Sequence, residues 1–146
     1  MTPPSPTVQR LALAMRIEAV LLVAYWTLWA IDHSLVAADD SPEYDAFEAA
    51  FPLPDGFIAL CLLLAAGDLV RGRRRGVFFT IAAAGAGMFL ALTDLAYDLQ
   101  NGIFTKGVNG ALEAVIVVVI FTSSIVFGRW AFRTLAADAD AAGAEW

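Results

Sequence analysis

The chain has 146 residues, 60% of them hydrophobic and 16% charged, with a formal net charge of -6 and a mean hydropathy of +0.69. This composition is too apolar for an ordinary soluble domain and leaves room for several membrane spans of about 20 residues. It also argues against nucleic acid as a partner, because neutralising phosphates needs clustered cations and the only cluster is the short arginine run at residues 71–75.

Residues 1–10 read as a disordered cytoplasmic tail, since three prolines precede Thr7 and no apolar period is present. The first span is expected over residues 11–32. Tyr25, Trp26 and Trp29 lie toward one end of it as an aromatic belt, and Arg16 reaches the opposite interface. A cleaved signal peptide, with Val36 and Ala38 before the cut, is the competing reading. Glu18 and the two tryptophans favour a retained span.

Residues 32–52 form the longest connection and hold six acidic residues with no lysine or arginine. Ser41 followed by Pro42 signals a helix start. Tyr44, Phe47 and Phe51 would then share one side. A short amphipathic helix on the membrane surface fits that pattern, and so does a loop whose rings fold back over the bundle. Pro52 and Pro54 are expected to end this segment, with Asp55 as the N-cap of the second span, residues 54–71. Cys61, the only cysteine, lies within that span, so no intramolecular disulfide or dithiol redox chemistry is available.

Asp68 is placed to pair with Arg71 at the far end of the second span. Arg71, Arg73, Arg74 and Arg75 occupy a turn too short for anything but a connection between antiparallel spans, and they read as a topology anchor. The third span, residues 77–98, has a middle of alanine and glycine that allows close helix approach. If Ala83 and Gly87 face helices of the same chain, a closed bundle is favoured; if they face outward, a dimer. Asn101-Gly102 is a helix stop. The fourth span covers residues 107–129, and an acidic cytoplasmic tail follows at 135–146. The fold class is therefore an all-α membrane protein, a four-transmembrane-helix antiparallel bundle with a short interfacial helix in the first outer loop.

Four spans put both termini on one side. Eight arginines share that side and Lys106 stands alone on the other, so the termini are assigned to the cytoplasm and the chain to the cell membrane. This orientation gathers polar residues at the outer ends of all four helices. Asp32 and His33 close the first span, Asp55 opens the second, and Asp94, Tyr97, Asp98 and Asn101 end the third along one helical face. Asn109 and Glu113, four residues apart, begin the fourth.

The expected site is thus an outward-facing, carboxylate-rich vestibule formed by Asp32, His33, Asp55, Asp94, Tyr97, Asp98, Asn109 and Glu113. Asp94 is its deepest third-span carboxylate, expected to meet Glu113 across the third and fourth spans. Asp98 is expected to reach solvent at the interface, Asn109 to cap the fourth helix, and Glu18, on the opposite side, to pair with an arginine of 71–75. Intramembrane ionisable groups are functional candidates by default.

Carboxylates suit hard cations such as calcium, while one histidine and no nearby cysteine disfavour zinc or iron. No phosphate loop, HExxH or nucleophile elbow is present, and nothing specifies a cofactor. The favoured function is non-enzymatic binding of a small ligand, lipid headgroup, cation or partner subunit, in a monomer or a homo-oligomer. Two alternatives stay open: a small oligomeric cation or proton-coupled transporter or channel, and a lipid-active isomerase using Asp94 and Glu113 as an acid-base pair.

Overall fold

The computed structural model describes residues 4–141 and 143. All regular structure among these residues is helical: α1 (Pro6–Ile31), α2 (Pro42–Glu48), α3 (Pro52–Leu69), α4 (Arg75–Asn101) and α5 (Gly107–Ala141). Short 3-10 turns lie at His33–Leu35 and Ile103–Thr105. Four stretches among the described residues are long and apolar enough to cross a membrane: Pro6–Ile31, Pro42–Leu69, Arg75–Asn101 and Gly107–Ala141.

Local chemistry sets the helix ends, and several of them differ from expectation. α1 starts at Pro6 rather than near residue 11, because the Ser5 hydroxyl accepts the Val8 N–H at 3.3 Å and Pro6 occupies the first turn. Residues 6–10 are therefore helix; residues 1–3 of the expected tail lie outside the described residues. At α2 the Ser41 hydroxyl accepts the Tyr44 N–H at 3.3 Å, as the Ser-Pro signal implies. α3 begins at Pro52, so Asp55 sits inside its first turn and is not its N-cap. Proline needs no N–H partner at the first helical position, which makes Pro52 a start rather than a stop. α4 ends at Asn101, where Gly102 takes the left-handed conformation with φ 65°.

α5 is 35 residues long, about 52 Å at 1.5 Å per residue, so it continues past residue 129 and through much of the acidic segment. Arg74 meets Asp138 at 2.8 Å near its end. Asp68 is paired with Arg73, at 3.3 Å, and with Arg75, whereas Arg71 donates to the Gly67 carbonyl at 2.8 Å. The expected Asp68–Arg71 pair is not formed, since the turn after α3 brings Arg73 and Arg75 back over the carboxylate.

The helices pack in the order α1, α3, α4, α5, each antiparallel to the next. Leu11, Ala12, Met15, Ala19 and Leu22 form the buried stripe of α1 at helical spacing. On α4, Ala83 and Gly87 are buried within the chain, and a Cβ at Gly87 would lie 2.6 Å from the Ser124 hydroxyl of α5. The small residues thus serve contact between helices of the same chain, the arrangement that favours a closed bundle. Ile17, Val20, Leu60, Leu63, Phe78, Phe89, Val118 and Ile125 are all exposed, leaving the bundle with an apolar outer surface.

The connection between α1 and α3 folds back over one end of the bundle. Tyr44 is completely buried and clusters with Ala37, Ala38 and Ile103, flanked by Trp29 and Tyr97. Phe47 stacks on Tyr97 with centroids 3.7 Å apart. The structure combines the two readings: residues 42–48 form the short helix of the first, and its rings fold back over the bundle as in the second.

Candidate functional site

α1 and α5 are the ends of the packing series, and they face each other across a cavity of about 350 Å³. α3 and α4 form its floor, while Val36, Glu48 and Phe51 come from the connection that covers one end. Six carboxylates line it: Glu18, Glu48, Asp55, Asp94, Asp98 and Glu113. The remaining lining is apolar or aromatic, and no lysine, arginine or histidine reaches it.

Helix geometry spreads these acids along the bundle axis. Asp55 and Asp98 lie about 4–5 Å from the covered helix ends, Glu113 and Asp94 about 9–11 Å, and Glu18 about 20 Å. The cavity therefore runs from the covered end to near the midpoint of α1.

Three of the carboxylates have donors. Trp26 donates its indole N–H to Asp55 at 2.6 Å. Tyr44 donates to Glu113 at 3.0 Å while its oxygen accepts the Ala38 N–H at 3.3 Å, and Tyr25 approaches Glu113 at 3.5 Å. Ser123 donates to Glu18 at 2.9 Å, replacing the expected arginine partner. Glu18 is too far along α1 to meet residues 71–75 and faces α5 instead. The aromatic residues of α1 assigned to an interfacial belt thus turn two polar edges inward, toward acids that need donors.

The other three acids, Glu48, Asp94 and Asp98, make no hydrogen bond or ion pair among the described residues. Asp98 is only 3% exposed and Glu48 7%. Asp98 lines the cavity and is not at the exposed interface expected for it. Buried polar groups are normally paired, so two unpartnered carboxylates opening into a cavity call for an explanation.

The remaining candidates lie outside this cavity. Asp32 is exposed and caps the following 3-10 turn, accepting from the Ser34 N–H at 3.1 Å and hydroxyl at 2.6 Å. His33 is exposed beside Trp29. Tyr97 is taken up by Phe47. Asn109 is within α5 rather than capping it, and donates to the Ala37 carbonyl at 2.8 Å. Asn101 donates to the Tyr97 carbonyl of its own helix. Glu48 and Glu18 are the two cavity acids not anticipated for this site; the period of Tyr44, Phe47 and Phe51 hinted at the fold-back that carries Glu48 inward.

Lys106 ties the cover down through Asp39, at 2.7 Å. The Lys106 ammonium, and after it the Ser41 hydroxyl, hold the Asp39 carboxyl below its ordinary value of 3.8. A depressed folded value means that the pair stabilises the cover above the ordinary value and stops doing so as pH falls through the folded one. Protection of residues 36–48 against hydrogen exchange, taken relative to the intrinsic rate at each pH, is expected to fall on acidification below pH 3.8. Lys106→Met should flatten most of that dependence. An unchanged acid profile in the variant would refute the assignment.

No group of three or more His, Cys, Asp or Glu among the described residues is arranged to hold a metal ion. No family model matches the chain, and comparison with curated proteins and with solved structures finds no match.

Proposed function

We propose that this is a multi-pass protein of the cell membrane, with both termini in the cytoplasm, that binds a small ligand bearing positive charge in its acidic cavity. The membrane assignment rests on the four apolar helices and the exposed aliphatic side chains around them. The orientation rests on the eight-to-one distribution of cationic residues, which puts the covered end of the cavity outside.

The observation that carries the binding assignment is six carboxylates lining one cavity with no cationic side chain, two of them buried and unpartnered. Ionised carboxylates gathered around one cavity with no cation among them are costly to bury. A ligand cation offsets that cost for several acids at once, which makes the filled arrangement favourable. Binding of this kind requires no reaction step.

The test is thermal melting of the purified chain in lipid nanodiscs with calcium, magnesium, methylammonium and alkylamines. At least one of these cations is expected to raise the melting temperature of the wild type and to lose that effect in Glu48→Gln/Asp98→Asn, because a ligand selective for the folded state stabilises it. No shift with any cation would end this reading.

A further inference from the structure

The shape and walls of the cavity narrow the occupant, on the reading that it binds a cation. We infer that the occupant is an amphipathic organic amine, a protonated nitrogen carrying an apolar chain or ring, which reaches the carboxylates sideways from the bilayer between α1 and α5.

Three observations converge on this class. The first is the distribution of polarity. The acids lie on the floor, on the inner faces of α1 and α5 and under the cover, while Leu21, Leu28, Val115 and Val119 line the cavity and remain 42–59% exposed. An inorganic cation would leave those walls uncovered, whereas an alkyl or aryl tail fills them.

The second is the donor shortage inside. The neighbouring N–H and O–H groups are committed to Asp55, Glu113 and Glu18, and Glu48, Asp94 and Asp98 have none. An ammonium head supplies both the charge and the missing donors. The rings of Tyr25, Trp26 and Phe51 line the same space, with Tyr25 and Trp26 edge-on at 5.1 Å, and aromatic walls favour organic cations. A hard metal ion needs six or more oxygens in close array, and no metal-holding group is formed among the described residues.

The third is the seam. α1 packs on α3 and α5 on α4, while α1 and α5 are not close-packed on each other and two side-chain hydrogen bonds, Tyr25 to Glu113 and Ser123 to Glu18, cross between them. The cover closes the axial route with a buried tyrosine, leaving the apolar seam as the open side of the cavity. A molecule dissolved in the acyl chains meets that seam directly.

The experiment uses the full chain in phosphatidylglycerol-free nanodiscs and compares decylamine, decanol, methylammonium chloride and calcium chloride at neutral pH. Decylamine is expected to raise the melting temperature by about 5–10 °C at a hundredfold excess over its Kd, and decanol and methylammonium by far less. The Glu113→Gln/Asp98→Asn protein should lose the decylamine shift. If that variant does not fold, a decylamine with a diazirine in its chain decides the matter on wild type, by labelling α1 and α5 at the seam and being displaced by unlabelled decylamine.

Equal shifts with decanol would mean that apolar filling suffices, and would overturn the inference. Equal shifts with methylammonium or calcium would also overturn it, while leaving a cation-binding cavity. Labelling confined to the outer lipid-facing residues would overturn it too. No shift with any probe would overturn both this inference and the reading it rests on.

Discussion

Replacing Tyr44 by alanine is expected to destabilise the protein by about 3–5 kcal/mol, the range for truncating a fully buried aromatic ring. The side chain is completely buried and holds the cover in two ways. Its ring fills the cluster of Ala37, Ala38 and Ile103, and its hydroxyl joins the Ala38 N–H to the Glu113 carboxylate. Tyr44→Phe separates these roles. It keeps the ring, removes one bond to a charged acceptor and one from a backbone donor, and is expected to cost about 1–3 kcal/mol. Chemical unfolding in detergent micelles measures both losses, and hydrogen exchange over residues 36–48 localises them. Equal losses in the two variants would show that the hydroxyl dominates and that the ring is not what holds the cover. A neutral Tyr44→Phe would remove Tyr44 as the partner that orients Glu113.

Much of the architecture was legible because it follows from local rules. Four apolar runs of sufficient length, the Ser41-Pro42 start, the Asn101-Gly102 stop and the small residues around Gly87 each act through near neighbours in sequence. So did the placing of Asp55, Asp94 and Glu113 at like ends of their helices, since antiparallel order and helical rise decide it. What was not legible depends on tertiary packing. Glu48 points inward only because α2 folds back, and Asp98 lines the cavity, whereas a helix-end position would leave it in water. Glu18 belongs to the cavity because α5 presents Ser123 opposite it, a pairing across 105 residues that no spacing rule contains. Asp32, His33 and Asn109 have the right residue types at the right end, yet a 3-10 turn and a backbone carbonyl claim two of them and solvent the third. Residue type selected candidates for the site, and the course of residues 32–51 decided among them.

That course ends against α5, which makes Gly110 the second position of large expected effect. Gly110→Ala is expected to destabilise the protein by roughly 2 kcal/mol or more. A Cβ there would overlap the Ile103 carbonyl oxygen and lie 3.3 Å from the carbonyl carbons of Ile103 and Phe104. The obstacle is backbone, held in a 3-10 turn whose Ile103 side chain is completely buried, so neither side can yield without moving the start of α5. Overpacking of this kind costs about 1–3 kcal/mol or more, and the gain of about 1 kcal/mol from removing a helical glycine offsets only part of it. Gly85→Ala is the matched control, because open space surrounds Gly85 and the same propensity gain should appear there as a small stabilisation. The two substitutions should therefore differ in sign when unfolding is measured under one set of conditions. Glu113 lies one turn beyond Gly110, so a displaced α5 also draws the carboxylate away from Tyr44 and lowers cation binding in the same variant. A Gly110→Ala protein as stable as wild type would mean that α5 does not start in close contact with Ile103, and the position of Glu113 in the cavity would fall with it.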